Sequence, residues 1–169
     1  MTPAELLSDA LGRVLGDVEA VLEDVPDHLL TERPTRDANT IAWLVWHLTR
    51  VQDDHVAGVA GSEQVWTAQG FADRFALPPS VGDVTEIGYG HTSAQVGAVR
   101  APAPLLAEYY RATHERSLEY LATLSGEDLD RVVDTRWDPP VTLGVRLVSV
   151  INDCTQHVGQ AAYLRGLLA

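Results

Sequence analysis

The fold of this chain is decided by residues 39–60, which read NTIAWLVWHLTRVQDDHVAGVA. Apolar residues recur there at steps of three and four, which is the period of one face of an α-helix: Ile41, Trp43, Leu44, Val45, Leu48, Val51 and Val56. Gly61 follows directly and is typical of a helix end. The sequence therefore predicts a strongly apolar helix over about residues 39–60, with His47 on or beside its most apolar face.

Three further segments show the same helical period, at about residues 3–24, 103–124 and 141–168. The first of them begins with Thr2 as a helix cap and Pro3 at the first helical position. Neither a convincing strand pattern nor an internal repeat is present. Four long amphipathic helices predict an all-α protein, a four-helix bundle formed by a single domain over residues 1–169.

Residues 62–102 connect the second and third of these helices and contain several Gly and Pro residues. Their aromatic residues argue against disorder, and so long a connection in a compact domain is usually a functional loop or lid. We expect a long crossover connection there, with one short helix at about residues 93–99. A second connection, residues 126–140, ends in two prolines.

The overall composition excludes several classes of partner. The chain has 169 residues, twelve Arg, no Lys, 24 acidic residues and a net charge of −12, which excludes nucleic acid because phosphate binding requires a basic surface. No apolar run reaches the length of a membrane span, about 18 residues, and residues 1–5 do not have the pattern of a signal peptide. Cys154 is the only cysteine, which fits a reducing compartment. We therefore expect a soluble, cytoplasmic protein that binds neither membrane nor nucleic acid.

A metal site is the chemistry that the spacing of polar residues suggests first. Asp153 and His157 are four residues apart and share one helical face, with Cβ atoms about 5–6 Å apart. Such a pair supplies one oxygen and one nitrogen to a divalent metal, or it is an aspartate that only orients a histidine. His47 adds a second imidazole, because inward-facing residues of a bundle converge in its core. Three ligands would leave coordination positions open, as in catalytic metal sites. The simpler alternative is that the three side chains are only hydrogen-bonded and hold no metal.

Two stretches carry a family resemblance, residues 39–48 (NTIAWLVWHL) and residues 153–166 (DCTQHVGQAAYLRG). Through them the chain resembles the DinB-like four-helix metalloenzyme superfamily, in particular the branch of mycothiol-dependent maleylpyruvate isomerase and related thiol S-transferases. The resemblance implies a divalent metal held by His47 from the second helix and by Asp153 and His157 from the last. The isomerase has a glutamate at this position, whereas this chain has Asp153, whose side chain is one methylene shorter. The resemblance also implies a low-molecular-weight thiol, mycothiol or bacillithiol, as co-substrate.

Further candidate residues lie beside the second helix and in the crossover. Asp54, two turns after His47, is either an acceptor that orients a liganding histidine, a general base, or a solvated acid. Tyr89 and His91 lie among glycines and are candidates for a hinged lid that contacts substrate, with His91 also a candidate base. The alternative for this stretch is an ordinary turn before a short helix.

The last helix and the connection before it add three more candidates for substrate binding. Arg146 lies two turns before Asp153 on the same face, where it either receives a substrate carboxylate or neutralises Asp153. Trp137 is a candidate pocket wall or a rigid corner, and Gln160 continues the face of the metal ligands. Cys154 points about 100° away from that face, which argues against a role as nucleophile. Two histidines are expected at the surface: His28 and His114.

The leading hypothesis is a metal-dependent thiol S-transferase or isomerase-like enzyme. Zn²⁺, or else Ni²⁺ or Fe²⁺, would activate the thiol for attack on an electrophilic substrate. A metal-dependent hydrolase that uses metal-bound water is the close alternative, with Asp54 or His91 as the base. A third hypothesis is a non-catalytic metal-binding or interaction bundle, in which Trp43 or Trp46 faces outward and forms a homodimer contact. A bundle without any metal is the fourth.

Overall fold

The computed structural model describes residues 1–169 and is mostly helical, as predicted. Its α-helices, in chain order, are α1 (Pro3–Leu22), α2 (Ile41–Ala60), α3 (Val65–Ala68), α4 (Phe71–Phe75), α5 (Pro79–Gly82), α6 (Ser93–Ala98), α7 (Ala103–Leu121) and α8 (Leu143–Leu168). A 3-10 helix (Glu127–Asp130) and the strands β1 (Val132–Asp134) and β2 (Val141–Thr142) lie between α7 and α8. None of the helices combines the length and the apolar character that crossing a bilayer requires.

The long helices α1, α2, α7 and α8 begin and end within three residues of the positions expected from the sequence. Side-chain caps explain where two of them begin. The Thr40 hydroxyl accepts a hydrogen bond from the backbone N–H of Trp43 at 3.0 Å, and the Thr142 hydroxyl accepts one from Val145 at 3.4 Å. Gly61 ends α2 in the left-handed conformation, with a φ of 67°.

The helix α2 is the most deeply buried of the long helices. α1 and α2 each pack against both α7 and α8, and fifteen of the twenty residues of α2 are buried. Trp43 and Trp46 are both among them, so the prediction that one of these rings faces outward for a homodimer contact is wrong. The physical reason is the crossover, which covers the side of α2 left open by the long helices: the ring of Trp66, for example, lies 6.4 Å from that of Trp46.

The crossover between α2 and α7 contains four short helices, α3 to α6, where the sequence predicts only one. Helices of four to six residues are too short to show a helical period. Asp53 attaches the start of this segment to α2, because its carboxylate accepts hydrogen bonds from the backbone N–H groups of Val65 and Trp66, each at 2.8 Å. The same carboxylate accepts the phenol O–H of Tyr109, from α7, at 2.8 Å.

Arg50 attaches the middle of the same segment, residues 84–86, from inside the protein. Its side chain is fully buried and donates to the backbone carbonyls of Val84 at 2.8 Å and Glu86 at 3.3 Å. It also donates to the side-chain oxygens of Gln64 at 2.7 Å and Tyr109 at 3.2 Å. A buried guanidinium needs such partners, because an unpaired polar group away from water is costly. Arg50 therefore fixes the path of residues 84–86, directly before the loop that reaches His47.

Two details of the chain outside α2 differ from expectation. β1 and β2 form an antiparallel hairpin in which Val132 is opposite Thr142 and Asp134 is opposite Val141, with an irregularity between them. The sequence predicts no strand here, because strands of three and two residues are too short for an alternating pattern. His114 is buried in α7 rather than exposed, since α1 packs against α7, and this burial lowers the pKa of His114. His28 is exposed, as predicted.

Candidate metal centre

Two helices bring three side chains with metal-binding atoms together. α2 supplies His47, and α8 supplies Asp153 and His157 one turn apart. Their ligand atoms all lie within 4.8 Å of one another, and Nε2 of His47 is 4.0 Å from Oδ2 of Asp153. His47 is buried, whereas the side chains of Asp153 and His157 are 30% and 19% exposed. The cluster is therefore closed on the side of α2 and open to solvent on the side of α8.

The crossover holds the ring of His47 in one orientation. Nδ1 of His47 donates to the backbone carbonyl of Ile87 at 2.5 Å, which leaves the lone pair of Nε2 free on the side of Asp153. The indole of Trp43 stacks on the same imidazole, with ring centroids 4.6 Å apart. Burial lowers the pKa of His47, so the ring is neutral at pH 7. A neutral imidazole with one nitrogen hydrogen-bonded and the other free is the form that binds a metal.

Asp153 and His157 determine each other's ionisation. Nδ1 of His157 lies 2.9 Å from the backbone carbonyl of Asp153 and 3.3 Å from its Oδ2, which leaves Nε2 of His157 without a protein partner. Burial disfavours the charged form of Asp153, but the nearby imidazole of His157, whose Nδ1 lies 3.3 Å from Oδ2, outweighs it and lowers the pKa of Asp153. Burial is likewise outweighed in His157, where contacts with Asp153 raise the pKa. Asp153 is thus ionised at neutral pH, as a metal ligand must be.

The three residues fit a divalent metal. Oδ2 of Asp153 is buried and has no hydrogen-bond partner, a costly state for a carboxylate oxygen unless a cation contacts it. Ligand atoms around a tetrahedral zinc are about 3.4 Å apart, so the 4.0 Å between His47 and Asp153 closes with small side-chain rotations. Two imidazoles and one carboxylate with an open side are the donors found at catalytic zinc sites.

Comparison with known proteins identifies the family of this chain. A family model of mycothiol-S-transferases matches residues 6–169. The chain belongs to the mycothiol-S-transferase family. It is also similar to a conserved protein of Enterococcus faecalis whose crystal structure is known, with 33% identity and a TM-score of 0.89 over 98% of this chain and 96% of that one. No curated protein matches the chain with significant similarity. The resemblance to DinB-like thiol S-transferases is confirmed.

Gly88 brings the crossover into direct contact with His47 in this member of the mycothiol-S-transferase family. A Cβ atom at Gly88 would lie 2.5 Å from Nδ1 of His47 and 3.2 Å from the ring of Trp43. Gly88 also has a φ of 98°, which side chains rarely allow. We expect Gly88→Ala to displace His47 from the carbonyl of Ile87 and to weaken zinc binding about 10- to 100-fold, measured by competition with a chromogenic chelator.

Gly90→Ala is the matched control for this substitution. Gly90 also has a positive φ, 72°, but a Cβ atom there meets nothing within 4 Å. The two variants therefore share the backbone strain and differ in the clash with His47. If Gly90→Ala weakens zinc binding as much as Gly88→Ala does, contact with His47 is not the cause of the loss.

The two crossover residues predicted to contact substrate, Tyr89 and His91, lie outside the cluster of His47, Asp153 and His157. His91 accepts a hydrogen bond from Nε1 of Trp43 at 3.2 Å, and its Nε2 lies 3.4 Å from the carboxylate of Glu86. Its side chain is almost fully buried, so in this arrangement it holds the loop against Trp43. Tyr89 is 91% exposed and contacts none of the three ligands.

Asp54 and Arg146 are engaged away from His47 and Asp153. The carboxylate of Asp54 lies 3.0 Å from Nδ1 of His55 and accepts a hydrogen bond from Gln64 at 2.9 Å. Arg146 donates to Oδ2 of Asp134, in β1, at 3.0 Å. The alternative in which Arg146 neutralises Asp153 is therefore wrong, because the hairpin, which the sequence did not predict, supplies a nearer carboxylate.

Trp137 and Gln160 are both exposed, Trp137 in the turn between β1 and β2 and Gln160 at the edge of a small surface cavity beside Tyr163. Cys154 is fully buried, and burial raises the pKa of its thiol well above the usual range, which agrees with the expectation that it is not a nucleophile. Sequence reasoning missed Ile87, because it acts through its backbone carbonyl and no side-chain pattern reveals it.

Proposed function

We propose that this chain is a metal-dependent thiol S-transferase, folded as a single DinB-like four-helix bundle with a long crossover between its second and third long helices. His47, Asp153 and His157 would hold the metal, Zn²⁺ in the first instance and Ni²⁺ or Fe²⁺ as alternatives. A low-molecular-weight thiol, mycothiol or bacillithiol, would be the co-substrate. Such thiols stay reduced in the cytoplasm, where we expect the protein to act.

The observation that carries this proposal is the buried Oδ2 of Asp153, which accepts no hydrogen bond and lies 4.0 Å from Nε2 of His47 and 3.3 Å from Nδ1 of His157. Hydrogen bonding alone would leave that oxygen unsatisfied, which makes the interpretation without a metal less favourable. The match to mycothiol-S-transferases over residues 6–169 supports thiol chemistry in preference to hydrolysis.

The charge of the donor set also favours a thiol. His47 is a neutral ring, and a bound metal would displace the proton that Asp153 favours on His157, so the three donors would carry one negative charge, that of Asp153, and a divalent cation would keep a net positive charge. When bound, such a cation lowers the pKa of a coordinated thiol enough to deprotonate it. The solvent-open side formed by Asp153 and His157 admits the co-substrate, while buried His47 and Trp43 exclude water from the opposite side.

The proposed transfer reaction conserves atoms and charge. The thiol gives its proton to solvent, and the sulfur attacks the electrophilic carbon to form a C–S bond. The leaving group departs with the electron pair of the bond that breaks. No oxidant or reductant is needed, and the buried thiol of Cys154 takes no part.

The test is a thiol-consumption assay on protein purified without a histidine tag or chelator. With mycothiol and a haloaromatic or bimane electrophile, we expect turnover that is lost on treatment with a chelator and restored by Zn²⁺. Turnover without any thiol would identify a hydrolase instead. Stoichiometric metal with no thiol consumption across the electrophiles would support a non-catalytic metal-binding protein. His28→Ala, which changes an exposed histidine outside the cluster, is the control variant.

A further inference from the structure

A polar cavity of about 530 Å³ lies between α2, the hairpin and the first turns of α8. We call it the arginine pocket, because its charged lining is formed by six side chains: Asp54, His55, Arg131, Asp134, Arg136 and Arg146. The chain has only twelve basic residues against 24 acidic ones, yet three of the twelve line this one cavity. Such a concentration of arginine in an acidic protein marks a site where an anion is favoured.

The guanidinium groups of the arginine pocket are only partly neutralised. Asp134 pairs with both Arg136 and Arg146, through N···O distances of 2.8 and 3.0 Å. Arg131 donates to the phenol oxygen of Tyr120 at 3.0 Å and has no carboxylate within 4 Å. Three guanidinium groups and two carboxylates leave one net positive charge when His55 is neutral. That charge matches a monoanion such as a carboxylate better than a doubly charged phosphate.

Arg146 retains donors for such an anion. Only Nη2 of its guanidinium is bonded within the protein, to Asp134, and its side chain is 19% exposed. Nε and Nη1 make no hydrogen bond to the protein and are not buried, so they are accessible from the cavity. An arginine held in place on one side and free on the other is suited to bidentate binding of a carboxylate.

The arginine pocket and the candidate metal centre lie on the same two helices, about two turns apart. Asp54 is seven residues after His47 in α2, and Arg146 is seven residues before Asp153 in α8, so both lie about 10 Å from the metal ligands. Counting forward along α2 and backward along α8 leads to the same place because the two helices run antiparallel. The residues one turn along from each ligand are Val51 and Val150, both buried, which give the interval between the two sites an apolar floor.

We propose that the arginine pocket binds a carboxylate of the electrophilic substrate and places its reactive carbon beside the metal centre. This inference rests on the proposed thiol S-transferase function and specifies its substrate class: an electrophile with a carboxylate at one end and an apolar body. A para-substituted benzoate together with an attacking sulfur has about the length of this two-turn spacing. The carboxylate is not itself changed, so Arg131 and Arg146 act in binding and not in bond formation.

The test compares two electrophiles of almost the same shape, 4-chloro-3-nitrobenzoate and 4-chloro-3-nitrobenzamide, with mycothiol as the thiol in both arms. In each reaction the sulfur replaces chloride on the ring and one proton goes to solvent. We expect Arg146→Gln to lower the ratio of kcat/KM for the benzoate to that for the benzamide about tenfold, mainly through KM. Arg131→Gln should lower the same ratio. Arg116→Gln, on the surface of α7, is the control and should leave the ratio unchanged.

A binding measurement separates this inference from the proposed function. Each electrophile is titrated into the metal-loaded protein without thiol, and the NMR shifts of backbone amides in residues 132–134 and 143–150 are followed. Benzoate binding that weakens in Arg146→Gln, without turnover of either compound, would support the pocket and overturn the transferase. Turnover with a ratio unaffected in both variants, or no benzoate binding, would overturn the pocket. Arg136 still pairs with Asp134 in Arg146→Gln, so we expect this variant to fold.

Discussion

Replacing His157 with alanine is expected to reduce bound zinc from about one ion per chain to well below one. The substitution removes one of two imidazole donors and also removes the ring whose Nδ1 lies 3.3 Å from Oδ2 of Asp153. Loss of a direct ligand should exceed the 10- to 100-fold loss in affinity that is usual when a group behind a ligand is removed. Elemental analysis of protein purified without a tag gives the stoichiometry, and chelator competition gives the affinity.

Asp153→Asn provides a graded companion to this variant, because it removes the negative charge at nearly constant shape. We expect zinc to bind more weakly but not to be lost completely, since the amide oxygen remains a weaker donor. His28→Ala again serves as the control for any effect of losing a surface histidine. Full zinc stoichiometry and unchanged affinity in His157→Ala would remove His157 from the set of ligands, and the same result in Asp153→Asn would make Asp153 an orienting residue only.

The second large effect is expected at Arg50, where substitution by methionine should lower the free energy of unfolding by about 3–5 kcal/mol. Methionine fills much of the same volume but donates no hydrogen bond to Val84, Glu86, Gln64 or Tyr109. It also leaves the buried carboxylate of Asp53 without the guanidinium 3.6 Å away. Urea unfolding measures the change, read as a lower midpoint at unchanged m-value.

Arg116→Met is the matched control, because Arg116 is a half-exposed residue whose loss should change stability by less than about 0.5 kcal/mol. A cost below about 1 kcal/mol for Arg50→Met would mean that the buried network contributes little. We also expect weaker zinc binding in Arg50→Met at temperatures where it is folded. Residues 84–86 would lose their attachment, and with it the carbonyl of Ile87 would lose its position on His47.

The long helices and the clustering of His47, Asp153 and His157 could be predicted from the sequence because both follow from helical periodicity. The apolar period of residues 39–60 is continuous and is followed by Gly61, and the spacing of Asp153 and His157 places them on one face without any tertiary information. If these two helices pack against each other, their inward faces converge, and His47 is expected to lie near Asp153 and His157. The reading of His114 as exposed failed because a single polar residue does not reveal which face of α7 packs against α1.

The surroundings of the metal centre could not be predicted in this way. Ile87 contributes a backbone carbonyl, whose position depends on the path of the crossover and on Arg50, 36 residues away from Glu86 in the chain. The short helices and the hairpin are stabilised by tertiary contacts and not by local propensity, so their residues carry no periodic signal. For the same reason the pairing of Arg146 with Asp134 was not foreseen.

The burial of Cys154 has a consequence for the proposed thiol-transfer chemistry. Its sulfur lies under α2 with the carbonyl of Leu48 at 3.5 Å, and it is the chain's only sulfhydryl. Reactive carbon centres are captured by exposed, ionised sulfur, and this polypeptide presents none of its own. In the proposed function, the protein would thereby be protected from alkylation by its own substrates, and every alkylation event would be left to the small-molecule thiol.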